Sequence, residues 1–158
     1  MRRPVLGLLL IGVAAPAFTQ SASVLDAKAA QAIVAGCAAH SNAKHQSEAI
    51  AVVDTGGHLI AALRMDGNAS AIFDFALAKA EASAGWGFST AQMVEAAKTT
   101  PGFAQAPRVV TVPGGVPVFS ADGKVRLGAV GVSGEAPADD AECAAAGVRA
   151  AGFSTGRP

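Results

Sequence analysis

The sequence predicts a mixed α/β domain (α+β) in which helices cover an antiparallel sheet, and three features carry that reading. Leu25, Ala29, Ile33 and Cys37 recur at four-residue steps, the stripe of an amphipathic helix. Two glycine turns, Thr55-Gly56-Gly57-His58 and Asp122-Gly123, each separate β-type runs as hairpin turns do. The elements follow the order α-β-β-α-α-β-β-β-α, so consecutive strands pair antiparallel and the helices must lie across the sheet.

Each element has its own signals. Ser23 reads as the N-cap of the first helix, with Asp26 reaching back, and Asn42 as its terminator. Ile50 to Val53 is a short β run, and Leu59 to Met65 returns beside it until Asp66-Gly67-Asn68 breaks the strand. Ser70 reads as the cap of a second helix that buries Ile72, Phe73, Ala76, Leu77 and Ala80 and stops at Gly85 and Gly87. Thr90 reads as the cap of a shorter helix over Ala91–Lys98, ended by Pro101-Gly102. Three strands follow, Val109–Val112, Val116–Phe119 and Val125–Val132, the last thinned by Gly128 and Gly131 for close backbone approach. The final helix starts at Pro137, carries Asp139, Asp140 and Glu142 near its N-terminal end and Arg149 near the other, and stops at Gly152.

Ahead of this domain stands a leader. Arg2 and Arg3 precede an apolar run from Val5 to Ala15, and Ala15-Pro16-Ala17 offers small residues to a signal peptidase. Residues 1–17 are read as a signal peptide and 18–158 as one domain, placing the mature protein in the periplasm or outside the cell. The run is too short to span a bilayer, which takes ~20 residues, and no second apolar stretch reaches that length. Without Arg2 and Arg3, ten of the twelve basic residues remain against twelve acidic ones. That balance, with no Lys/Arg run, excludes a nucleic-acid binder that works through a basic face. Cys37 and Cys143, the two cysteines, either pair in an oxidising compartment or sit as two separate buried thiols.

An ordered set of short motifs runs along the mature chain. Asp54-x-Gly56-Gly57-x-Leu59 is followed by Arg64-Met65-Asp66-Gly67, Lys79-Ala80 and Pro101-Gly102. Gly114-Gly115-Val116-Pro117, Gly128-x-x-Gly131-Val132-Ser133-Gly134 and Asp140-x-x-Cys143-x-x-x-Gly147 complete it. Together they resemble the GlcG/HbpS-like family of haem-degrading or haem-binding domains, from Ser23 to about Gly152. The resemblance implies a profilin-like fold, a five-stranded antiparallel sheet of order 2-1-5-4-3 with helices on both faces. It also implies homo-oligomers and haem or a related tetrapyrrole as ligand. In such a fold the first and last helices lie side by side, which would set Cys37 against Cys143 on the side shared with Gly147. A disulfide is expected there, two packed thiols being the alternative; a Cα separation beyond about 7 Å would exclude the bridge.

Haem needs an axial donor, most often His. His58, after a double glycine, and His45 are the candidate metal ligands, each otherwise an exposed loop residue. His40 reads as a helix-end residue. Arg64 can take a carboxylate in bidentate fashion, a haem propionate or a small organic acid. Asp66 would orient Arg64 or cap the next segment, and Lys79 stands on an otherwise apolar helix. These three with His58 are the candidate ligand-binding residues; the alternative is an ion pair tying the Arg64–Gly67 turn to that helix. No Ser-His-Asp spacing, nucleophile elbow or P-loop occurs, so no catalytic residue is assigned. The function expected is binding, sensing or delivery of haem or a tetrapyrrole. The alternatives are a binder of a small organic acid and an oligomeric accessory protein without a ligand of its own.

Overall fold

The computed structural model describes residues 24–157; the leader at 1–17 and the cap read at Ser23 lie outside them. Helix α1 spans Ala27–Ala43 and is capped by Asp26, whose carboxylate accepts from Ala29 N at 2.7 Å. Asn42 lies inside it, and the chain leaves through His45 at a left-handed φ of 58°. Strands β1 (Ala49–Asp54) and β2 (Leu59–Arg64) form the first hairpin. Helix α2 (Ser70–Trp86) ends on Gly87, whose φ of 80° closes the last turn. Helix α3 (Thr90–Thr99) is capped by Ser89 in a reciprocal box with Gln92. Thr90, read from the sequence as that cap, is the first helical residue, and its Oγ1 accepts from Gly115 N at 2.9 Å. Strands β3 (Gly115–Phe119) and β4 (Arg126–Ser133) lead to helix α4 (Pro137–Ala150).

Among the described residues the sheet has four strands, in the order β2-β1-β4-β3, every neighbouring pair antiparallel. The fifth strand expected at Val109–Val112 does not form. Pro107 and Pro113 bracket it, Arg108 adopts a φ of 58°, and Val109 N turns back to Ala106 O. β propensity alone does not make a strand where the flanking backbone is already committed to turns.

Both faces of the sheet are covered. Ile50, Val52, Val130 and Val132 meet Ile33, Ala144 and Val148 of α1 and α4. Ala51, Val53 and Ala129 meet Ala80 and Ala84 of α2. This is why β1 is buried almost throughout instead of alternating. Gly131 sets the approach of α2, since a Cβ there would lie 2.0 Å from Ala76 O. Gly147 does the same between α1 and α4, where a Cβ would lie 2.5 Å from Ile33 O. In the seam so formed Cys37 and Cys143 are joined by a disulfide with Cα atoms 4.8 Å apart, well inside the bridgeable range. Strand β2 is the exposed edge, with Leu59 50% and Leu63 37% accessible. Among the described residues no helix is long and apolar enough to cross a membrane.

Candidate functional site

The end of β2 forms a shallow cleft of about 410 Å³ where Arg64 and Asp66 stand with Gln46 and Asn42. The turn is fixed from below: Ser47 Oγ donates to Asp66 O at 2.7 Å, and Asn68 Nδ2 donates to Ser47 Oγ at 2.9 Å. Arg64 donates to Asn68 O, which holds the guanidinium over the turn. Gln46 Oε1 is buried there without a hydrogen-bond partner among the described residues. Sequence reasoning placed Arg64 and Asp66 together because they are neighbours on one turn.

The other expected ligand residues lie elsewhere. His58 lies just before β2, six residues from Arg64 at the strand's far end, which along a strand is roughly 20 Å. Its side chain is 84% exposed and its Nδ1 lies 3.2 Å from Asp54 Oδ2. Asp54 also accepts from Gly56 N and His58 N, and these bonds hold its carboxyl below the usual range. His45 is exposed in the turn after α1, ahead of β1, and His58 follows β1, so the length of that strand separates the two candidate metal ligands. Lys79 is buried, not a ligand arm: its Nζ lies 2.7 Å from Asp140 Oδ2 and 2.9 Å from Val132 O. The alternative to a ligand role, an ion pair to the Arg64–Gly67 turn, holds only as a pair: the partner of Lys79 is Asp140 on α4. Burial pushes the Asp140 carboxyl up while the Lys79 hydrogen bond opposes it.

A larger cleft of about 510 Å³ opens between the end of α2, strand β3 and the C-terminal tail. Trp86 and Phe88 flank the left-handed Gly87 and form its aromatic wall. Phe103 backs that wall edge-on, 5.2 Å from Trp86, and Trp86 Nε1 donates to Pro107 O at 3.1 Å. The tail is tied to β3 by paired backbone bonds between Phe119 and Ser154, at 2.8 and 3.1 Å, and brings Arg157 over the cleft. Arg126, from the start of β4, lies against Gly87, where a Cβ would sit 2.4 Å from its Nη1. No carboxylate among the described residues forms an ion pair with Arg126 or Arg157. Sequence reasoning missed this cleft. The one local signal was Trp86-Gly87-Phe88, and the arginines arrive from 40 and 71 residues further on.

Sequence reasoning also missed Glu48. It is fully buried just before β1, where Ser41 Oγ donates to its Oε2. Burial pushes its carboxyl up to about 7, with Asp140, Glu135 and Asp139 adding to the rise and Ser41 opposing it. The ordinary value is 4.5, so the folded state holds this proton more tightly than the unfolded chain does. The resulting stabilisation is complete below pH ~4.5 and is lost as pH rises through ~7, at most about 3 kcal/mol. Glu48→Gln should flatten this dependence. Urea denaturation at pH 4.5 and 8 checks it, and two parallel stability profiles would refute it.

A family model, Haem degrading protein HbpS-like, matches residues 25–149. Protein GlcG of Escherichia coli K12 is 38% identical over 113 residues, 70% of this chain and 81% of GlcG. A double mutant of HbpS from Streptomyces reticuli superposes with a TM-score of 0.74 at 22% identity, over 90% of this chain and 97% of that one. The PduOC–haem complex gives 0.75 at 16% identity, over 85% and 99%. At these identities the two structures speak for the fold.

Proposed function

We propose a function on the ground that the chain belongs to the Haem degrading protein HbpS-like family: an exported protein that binds haem or a related tetrapyrrole, for sensing or delivery. The observation that supports it is the Trp86 cleft, with an aromatic wall and two guanidinium groups free of carboxylate partners among the described residues. A planar macrocycle stacks on indole and phenyl faces, and its two propionates suit Arg126 and Arg157. The fit covers the macrocycle and its carboxylates. Among the described residues no His, Met, Cys or Tyr lines the cleft, so no axial ligand is assigned within it. Haem would supply redox and gas-binding chemistry when bound; this chain's residues bind and orient it. Export rests on the leader at 1–17, and homo-oligomerisation on the family resemblance, with the apolar β2 edge as the open surface.

The test is titration of the purified mature protein with haem, followed in the Soret band, and with iron-free protoporphyrin, followed by fluorescence. Both should bind with similar affinity. Arg126→Ala should weaken both by ~10- to 100-fold, the loss of a charge-assisted bond of ~1.5–3 kcal/mol. An affinity unchanged by Arg126→Ala would remove the cleft from the reading.

A second reading, a small organic acid, is favoured at the Arg64 cleft by Gln46 Oε1, buried and without a partner among the described residues, in the cleft that Arg64 also lines. That oxygen would accept a hydrogen bond from an acid's hydroxyl while Arg64 holds the carboxylate. For any acid detected by thermal shift, Arg64→Ala should weaken binding by ~1.5–3 kcal/mol. Arg64→Lys should not restore it, because lysine lacks the planar fork. Equal affinity in Arg64→Ala would confine Arg64 to holding the turn.

A further inference from the structure

The seam between α1 and α4 holds chemistry that tetrapyrrole binding does not use. Cys37 comes from α1, Cys143 from α4, and Glu48 from the segment entering β1, and all three are fully buried. One ligand atom from each lies within 4.8 Å of the others. Glu48 Oε2 is 3.9 Å from Cys37 Sγ. Glu48 Oε1 is buried with no hydrogen-bond partner among the described residues, so half of the carboxyl group lacks there the donor or cation that burial ordinarily demands. Ser41, one helical turn after Cys37, holds the other oxygen and lies 3.1 Å from Cys143 Sγ. An outer hydrogen bond of this kind orients a metal-binding carboxylate.

We propose that this cluster is a redox-gated site for a thiophilic divalent cation of the zinc class. In the disulfide each sulfur is committed to the other and is a poor ligand. A two-electron reduction by a thiol reductant breaks the S–S bond and gives each Sγ one electron and one proton, while two reductant thiols become a disulfide. Cation uptake then forms two metal–sulfur bonds and one metal–oxygen bond. The thiol protons, and the Glu48 proton where present, pass to solvent; water takes the fourth position. With metal–sulfur bonds of ~2.3 Å, tetrahedral thiolates sit ~3.7 Å apart. Once the S–S bond is gone, side-chain rotation can open the pair to that spacing while Glu48 closes in.

The experiment uses the folded mature protein reduced anaerobically with a phosphine, which ends as its oxide and takes the place of the thiols, and then titrated with Co²⁺. The expected result is one Co²⁺ per chain with thiolate-to-cobalt charge-transfer and tetrahedral ligand-field bands, lost on adding Zn²⁺. The oxidised protein should show neither. Glu48→Gln should weaken Co²⁺ binding by about tenfold or more, and Cys143→Ser should abolish the thiolate band. Circular dichroism covers the case in which reduction unfolds the chain: Zn²⁺ should then refold the native sequence and not Glu48→Gln. Reduced protein without a charge-transfer band, equal binding by the oxidised form, or Glu48→Gln binding as tightly as the native sequence would each overturn the proposal.

Discussion

Lys79→Met is expected to destabilise the fold by about 3–5 kcal/mol, the range for removing one partner of a buried ion pair. Lys79 is 1% and Asp140 2% exposed. The ammonium donates to Asp140 Oδ2 and Val132 O and lies 4.8 Å from the Phe75 ring centroid. Methionine fills much of the same volume but satisfies neither oxygen. Asp140 would keep one bond, from Glu135 N at 3.1 Å, and would stand as an uncompensated buried charge or take up a proton. The double variant Lys79→Met/Asp140→Leu removes both charges and should recover most of the loss, since a buried pair replaced by apolar groups is often neutral. Urea denaturation of the two single variants and the double closes the cycle. A Lys79→Met loss under ~1 kcal/mol, or a double variant no better than the single, would show that the pair does not tie α2 to α4.

That pair also shows where reading the sequence stops. Lys79 stands out as a charge on an apolar helix, but its partner lies 61 residues away, and only the packing of α2 and α4 on the sheet selects it. Local features were readable because short-range physics decides them: the α1 stripe, the hairpin glycines, Gly87 as a helix stop, Pro137 as a helix start. Caps came out a residue off where two hydroxyl or small polar residues compete, as at Ser89 and Thr90. The Val109–Val112 run misleads because strand character is confirmed by a partner, and none among the described residues pairs with it. The site divides in the same way. Arg64 and Asp66 share one turn and were found; the Trp86 cleft draws on a helix end, a strand start and the tail, and was not. Glu48 gave no signal, because one carboxylate before a β run looks like a solvated loop residue until its burial is seen.

Removal of the Cys37–Cys143 bridge carries the other large effect. The bond spans 106 residues of sequence and joins the first helix to the last. In the chain-entropy account a loop of that order restrains the unfolded ensemble by about 4.7 kcal/mol, less any strain in the native state. Strain is limited here because Gly36 and Gly147 already let α1 and α4 approach to backbone contact, with a Cβ on Gly36 meeting Gly147 Cα at 3.2 Å. The double substitution Cys37→Ala/Cys143→Ala removes the covalent link and also leaves space beside Glu48 and Ser41, so its loss should reach about 4 kcal/mol or more. Reduction of the native protein without added metal removes the link alone and should come closer to the entropic figure. Urea denaturation of oxidised, reduced and double-alanine protein separates the two contributions. Reduced and oxidised protein unfolding at the same urea concentration would mean that helix packing, not the bridge, holds the ends of the chain together. Two free thiols per chain on labelling after non-reducing denaturation would dispose of the bridge itself.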